Sequence, residues 1–259
     1  MDYEQYFTEA QVFLRDIKEK TAAQAKAAKK IEKCITDGDI GALPKLFSSL
    51  RDAARLREEA LDRLDALTAG FDGREYFSSG DFALQMIESC HQFGVDVQGS
   101  YPVYDMFPCR VTINADTQDV TVDRKKLPYM RPSKLVGSIK KELEKLEKVN
   151  FNAQQFAKEL AAAYDLAIIK ASRKKPLPDD APMYALELYN TLTPMQRYKK
   201  EYTKNNFAYD LARLYSEEDI TLGDGRSLRF DTVRDTAKTI RILDRNGSEQ
   251  FITTIRFMK

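Results

Sequence analysis

An α+β, helix-rich fold is expected from this chain of 259 residues. Apolar side chains recur every three or four residues over positions 1–72. The pattern then switches to alternation within "FPCRVTINADTQDVTVDRKKLPYMRP", residues 107–132. After a further helical stretch, two glycine-centred hairpin signals close the sequence.

The first segment reads as two long helices. Stepping by threes and fours from Phe7 reaches Ala10, Leu14, Ile17, Thr21, Gln24, Ala28, Ile31 and Ile35. At 1.5 Å rise per residue, such a helix reaches ~50 Å. The turn "TDGDIGALP" breaks it, with Gly38 and Gly41 as stops and Pro44 suited to a first helical turn. A second seam follows through Leu43, Phe47, Leu50, Ala54, Arg57, Leu61, Leu64 and Thr68. The short connection makes the pair an antiparallel, coiled-coil-like hairpin. Tyr3, Tyr6, Phe13, Leu46, Leu56 and Leu67 fall beside these seams and are expected to seek a further surface.

A third helix is expected over Asp81 to Phe93, with Phe82, Met86, Ile87 and Cys90 on one face and Gly94 as its stop. In the alternating segment, a loop at Asp116-Thr117 sets Ile113 opposite Val120 and Val111 opposite Val122, and "YPVYDMF" offers a third strand. Helix resumes at Pro132, with Leu135, Val136, Ile139, Leu143 and Leu146 along one side. Asn152 is placed as an N-cap with Gln155 three residues on, and Phe151 and Phe156 take the hydrophobic-staple positions of a helix running to about Ala171.

The proline-rich "SRKKPLPDDAP", residues 172–182, marks a boundary. Met183 to Tyr215 reads as helical, interrupted at "NTLTP", where Thr193 can cap and Pro194 can take the first position. Two hairpins follow. One turns at Gly223-Asp224-Gly225 and the other at Asn246-Gly247, the latter pairing either Ile242 with Phe251 or Ile240 with Ile252. Three parts result: a helical-hairpin arm (1–72), a middle region with an antiparallel β-hairpin flanked by helices (73–172), and a C-terminal helical module with two hairpins (173–259).

Common active-site ingredients are scarce. Cys34, Cys90 and Cys109 form no CxxC pair, which fits a reducing, cytoplasmic setting. The start lacks a secretory pattern, and the apolar runs fall short of the ~20 residues of a membrane span. His91 is the single histidine and sits beside Cys90, but adjacent helical residues diverge by ~100° and do not face each other. Both are expected to be structural, with no metal and no cofactor. Neither GxxxxGK[ST] nor GxGxxG occurs.

The tripeptide Asp123-Arg124-Lys125 resembles the acid-x-Lys element of PD-(D/E)xK nucleases, in which acids hold Mg²⁺ and the lysine orients water. Asp123 and Lys125 are therefore the catalytic candidates. The pairing opposes that reading: Asp123 falls opposite Arg110 as a cross-strand ion pair, and Asp105 lies five residues further on, ~17 Å at strand rise.

Charge is unevenly distributed. Residues 1–100 hold 13 Lys and Arg against 18 Asp and Glu, whereas residues 101–259 hold 28 against 22. The basic, tyrosine-interleaved segment "TPMQRYKKEYTKNNFAYDLARLY" supplies Arg197, Lys199, Lys200 and Lys204 as nucleic-acid contacts, and the hairpin after it adds Arg226 and Arg229. Three helices followed by an arginine-rich hairpin is the order of a winged-helix-like module. The tyrosines recur at helical spacing, which points to packing. The expected function is a non-catalytic adaptor or scaffold subunit that docks on a protein partner through its arm, with a basic C-terminal part for DNA. The alternatives are a DNA/RNA-binding protein in its own right and, third, a Mg²⁺-dependent nuclease.

Overall fold

The computed structural model describes residues 2–128, 131–173, 176–217, 219–233 and 238–259. The class is α+β and helix-rich, with an N-terminal helical pair and antiparallel sheets. The chain forms two compact units. One comprises Met1–Gln92, Ile113–Val120 and Lys126–Val136; the other comprises Phe93–Thr112, Thr121–Lys125 and Gly137–Lys259. The 172–182 boundary expected from the prolines falls inside the second unit, where Ile168 and Leu188 share one core.

In the first unit, α1 (Tyr3–Asp37) and α2 (Leu43–Ala69) form the expected hairpin. Asp2 opens α1 with a capping box, its Oδ1 accepting the Gln5 N–H at 2.7 Å, and Gly38 ends it in the left-handed region at φ 74°. The seam is a correction. The more buried positions of α1 are Tyr3, Glu4, Tyr6, Phe7, Ala10, Phe13, Asp16, Ile17, Lys20, Gln24, Ala27, Ile31 and Cys34, and those of α2 are Leu43, Leu46, Leu50, Ala53, Ala54, Arg57, Ala60, Leu61, Leu64 and Leu67.

The 3–4 period is as expected, and Phe7, Ala54 and Leu61 are half-buried as expected, but at Leu14, Thr21, Ala28, Ile35, Phe47 and Thr68 the seam falls one residue earlier. Leu14, Ile35 and Phe47 are left 44%, 60% and 48% exposed. The rotation of α1 is set at its start, where Tyr3 stacks on Tyr76 at 5.0 Å and Tyr6 on Phe71 at 4.4 Å. Ala27, Ala53 and Ala60 then let the helices approach. Tyr3, Tyr6, Phe13, Leu46 and Leu67 thus lie within the seam, and of the six residues expected beside it only Leu56 is exposed.

A short helix not foreseen, α3 (Gly73–Ser78), begins where the Asp72 carboxylate accepts the N–H groups of Arg74 and Glu75. It carries Tyr76 and Phe77 into an aromatic cluster, in which Phe77 stacks on Phe82 of α4 (Asp81–Phe93) at 4.6 Å. The bounds of α4 and its stop at Gly94, φ 63°, are as expected. Cys90 is fully buried while His91 is exposed in the last turn. No disulfide joins the cysteines, and no group of three or more metal-ligating side chains occurs among the described residues. Glu4 ties the start of α1 to the chain entering α5 (Pro132–Lys148): its carboxylate accepts from Arg131 Nε and Nη2 at 2.9 and 2.6 Å and from the Ser133 N–H at 2.9 Å.

Five short strands, β1 (Gln98–Ser100), β2 (Val103–Met106), β3 (Cys109–Asn114), β4 (Asp119–Val122) and β5 (Lys125–Lys126), pair in sequence order. The expected β3–β4 register holds, since the Asp123 N–H donates to the Arg110 carbonyl at 2.9 Å and Ile113 and Val120 are both buried. Between β4 and β5, Asp123 and Arg124 both adopt left-handed backbone, φ 50° and 67°, the signature of a type I′ turn.

The core of the second unit packs α6 (Ala153–Ser172), α7 (Ala185–Leu192) and α9 (Lys204–Tyr215) on a sheet of β6 (Met183–Tyr184), β7 (Ser227–Thr232), β8 (Ile240–Leu243) and β9 (Glu249–Met258). The start of α6 is as expected: Asn152 Oδ1 accepts the Gln155 N–H at 2.9 Å, and Phe151 meets Phe156 at 5.7 Å. Helix over Met183 to Tyr215 is corrected at three places. Met183 and Tyr184 pair with Ile255 and Thr254 as a strand. Thr193 ends α7 instead of opening the next helix, because its buried hydroxyl donates back to the Tyr189 carbonyl at 2.7 Å. Tyr202 breaks the chain between α8 (Gln196–Glu201) and α9, donating to Asp210 Oδ2 at 2.7 Å, after which Thr203 and Asn206 cap α9.

Strand β9 is central. Ile252 pairs with Thr232 of β7 and Ile240 of β8, which places those strands on opposite edges. Of the two registers weighed for the last hairpin, the structure takes Ile240 with Ile252. Gly247 sits at φ 74°, and Asp244 Oδ1 accepts the N–H groups of Asn246 and Ser248. The Gly223-Asp224-Gly225 turn closes one bridge, Thr221 to Ser227, flanked by Leu222 N–H to Arg226 O at 2.8 Å and Leu228 N–H to Ile220 O at 3.0 Å, while the other edge of β7 pairs with β9. The arginine-bearing hairpin expected after three helices does not form a ladder of its own: Arg226 follows a turn with one bridge, and Arg229 pairs across to Arg256 of β9. No helix among the described residues is long and apolar enough to cross a membrane.

Candidate functional site

Within the second unit, a cleft of about 470 Å³ is lined by Arg110 and Thr112 of β3, the turn residues Asp123 and Arg124, Lys204 and Asn205 of α9, and Arg241 of β8. Strand alternation puts Arg110 and Thr112 on one face, with Val111 buried on the other. The Arg110 guanidinium lies bidentate on Asp105, Nε–Oδ1 2.8 Å and Nη2–Oδ2 3.2 Å. Arg241, whose side chain is only 13% exposed, shares Asp105 at 3.0 Å and takes Glu249 at 3.0 Å. Glu249 also reaches Arg110 at 3.5 Å, and Arg241 stacks over Phe107 at 5.8 Å. Two arginines and two carboxylates thus form a rigid, charge-balanced floor.

Asp123 joins this floor to α9. Its Oδ1 accepts the Arg110 N–H at 3.0 Å and its Oδ2 accepts from Asn205 Nδ2 at 2.6 Å. Asn205 Nδ2 also lies 3.8 Å from Cys109 Sγ. Burial, and secondarily the Asp123 charge, push the Cys109 thiol up to about 12. At the rim, Arg124 and Lys204 are exposed and make no ion pair among the described residues.

The acid-x-Lys residues have a different setting from the one the sequence suggested. The chain reverses after Met106, so Asp105 pairs directly with Arg110 instead of lying ~17 Å along a strand. Arg110 thus binds both acids with different groups: its guanidinium pairs with Asp105 on β2, and its backbone amide donates to Asp123 in the turn after β4. Asp123 meets the backbone amide of Arg110. Lys125 is exposed on β5.

The six proposed nucleic-acid contacts disperse. Only Lys204 reaches the cleft. Arg197 lies over Tyr198 at 5.1 Å, Lys199 donates to Asn190 Oδ1 at 2.8 Å, and Lys200 is exposed on α8. Arg226 is held by Asp165 at 2.7 and 3.2 Å and by Asp224 at 2.8 Å, so its charge is already compensated. Arg229 is exposed on β7, opposite Arg256. Arg110, Asn205 and Arg241 were not singled out as contacts, because the cleft draws on segments far apart in sequence. The two-residue turn at Arg124 left the one local signal, a break in alternation between "VTV" and "KK".

In the first unit, the turn end of the helical hairpin exposes Ile35, Ile40 and Phe47, Ile40 at 81%. Nearby on α1, Lys26, Lys29, Lys30 and Lys33 are exposed at i, i+3, i+4 and i+7 on one helical face, without ion pairs among the described residues. No family model, curated protein or solved structure matches this chain.

Proposed function

We propose that this protein is a non-catalytic adaptor that docks on a protein partner through its two-helix arm and carries a nucleic-acid contact in its second unit. The observation that carries the reading is the turn end of the arm. One end of the hairpin is anchored through Tyr3, Tyr6 and Phe71 in an aromatic cluster. The other presents Ile35, Ile40 and Phe47 to solvent beside a row of four lysines. An apolar patch flanked by uncompensated charge fits a partner with an apolar groove and an acidic rim.

Affinity capture with Ile40→Asp and Phe47→Asp tests this. Both positions are exposed, so helix content by circular dichroism should not change while a stoichiometric partner held by the wild type is lost. A partner retained in full by both variants counts against docking at the arm. The second reading, a nucleic-acid binder in its own right, is favoured by Arg124 and Lys204 at the rim of the cleft. Salt-dependent retention of DNA by the chain without any protein partner would support it.

A further inference from the structure

The cleft invites a question about Arg124. The type I′ turn formed here has positive φ at both central positions, which glycine and asparagine adopt cheaply and arginine does not. The chain nevertheless holds Arg124 at φ 67°, exposed at the rim of a cleft that also bears Lys204. Arginine costs stability here relative to glycine, and strained backbone of this kind clusters at functional sites.

The surroundings suggest the use. Lys204 and Asn205 are the first two residues of the twelve-residue helix α9; their amides have no carbonyl one turn back, whereas the Asn206 amide is capped by Thr203 Oγ1. Arg110 and Arg241 are balanced by Asp105 and Glu249, and both oxygens of Asp123, the one carboxylate lining the cleft among the described residues, already accept hydrogen bonds, which leaves Arg124 and Lys204 as its uncompensated cations. Pro108, Ala208 and Phe251 give the cleft an apolar wall. Its volume of about 470 Å³ exceeds what a lone oxyanion fills and suits a ligand with an anionic end and a flat, weakly polar body.

We propose that this cleft binds the phosphate group of a nucleotide, held between Arg124 and Lys204, with the base against the Phe251 side. The nucleotide can be free or part of a single strand, and the shared chemistry is the phosphate. The inference is independent of the arm. It touches the nucleic-acid half of the proposed function only in the choice of carrier.

The test is fluorescence anisotropy on the full chain of a labelled oligodeoxythymidine strand of ~20 nucleotides, with adenosine monophosphate as competitor, and separately of fluorescently labelled adenosine monophosphate. The variants are Arg124→Gly, Lys204→Gln, their combination, and Lys141→Gln as a surface control outside the cleft. Each cleft variant should weaken binding about 10-fold, as expected for loss of one charge-assisted contact, and the combination should abolish it. The slope of log affinity against log salt should fall by about 0.7 per contact removed.

Arg124→Gly should melt no lower than wild type, because glycine relieves the strained turn; this separates loss of binding from loss of folding. Displacement by the mononucleotide identifies a free nucleotide as the ligand. Mononucleotide binding without strand binding keeps the cleft proposal but removes the nucleic-acid reading. Strand binding that the mononucleotide does not displace, yet the cleft variants weaken, identifies nucleic acid. The proposal is overturned if neither probe binds the wild type, if Arg124→Gly and Lys204→Gln bind as wild type does, or if Lys141→Gln weakens binding equally.

Discussion

Replacing Glu4 with glutamine probes the tie between α1 and the chain entering α5. The carboxylate accepts hydrogen bonds from Arg131 Nε and Nη2 and from both the amide and the side chain of Ser133, with the Glu4 and Arg131 side chains 28% and 20% exposed. Burial alone would raise the Glu4 pKa, but the Ser133 hydrogen bonds and the Arg131 charge outweigh it and hold the carboxyl below its usual value. Glutamine keeps an acceptor for Ser133 and turns an amide toward the Arg131 donors. A hydrogen bond to a charged group is worth about 1.5–3 kcal/mol net, and at this partial exposure the lower end applies, about 1.5–2 kcal/mol.

The sign of the pH dependence follows from the lowered pKa. The contribution is complete above the unfolded-state value of about 4.3 and is lost as pH falls through the still lower folded value. Urea unfolding of wild type and Glu4→Gln, followed by far-ultraviolet circular dichroism because the chain has no tryptophan, should show the full difference at neutral pH. The gap should narrow below about pH 4. A gap that is absent at neutral pH, or constant with pH, would refute the account of this contact.

Two further predictions concern the first unit's seam and the buried thiols. Ile31, 6% exposed, should cost about 2–4 kcal/mol on truncation to alanine, whereas Ile35→Ala at 60% exposure should stay within about 0.5 kcal/mol; equal costs in chemical unfolding would mean the seam phase is wrong. Burial pushes the thiols of Cys90 and Cys109 up to about 11 and about 12. At pH ~8 their thiolate fractions are then at least ~100-fold below that of an unperturbed cysteine, so alkylation mapped by mass spectrometry should be slow until urea unfolds the chain.

Features encoded locally were legible in the sequence. The bounds of α4, the Asn152 cap with its Phe151–Phe156 staple, and the Gly247 hairpin each rest on a few adjacent residues. The arm's existence was legible from its period, but its phase was not. A 3–4 stepping from Phe7 has two solutions, and the choice is made where Tyr3 meets Tyr76, a contact spanning most of the hairpin's sequence. Thr193 offered a start signal and became a stop, because a threonine hydroxyl can serve either helix and the buried Tyr189 carbonyl claimed it. The cleft was least legible: Arg110, Arg124, Lys204 and Arg241 converge only once β2 reverses onto β3 and α9 docks through Asn205.

The docking of a protein partner proposed for the turn end of the arm places Ile40 in the interface. A photo-crosslinking residue at position 40, illuminated in extract from cells that make the protein, tests it directly. The account predicts a discrete adduct with a second protein at position 40 that is absent when the probe sits at position 141. No adduct at position 40, or the same adduct from both positions, would contradict it.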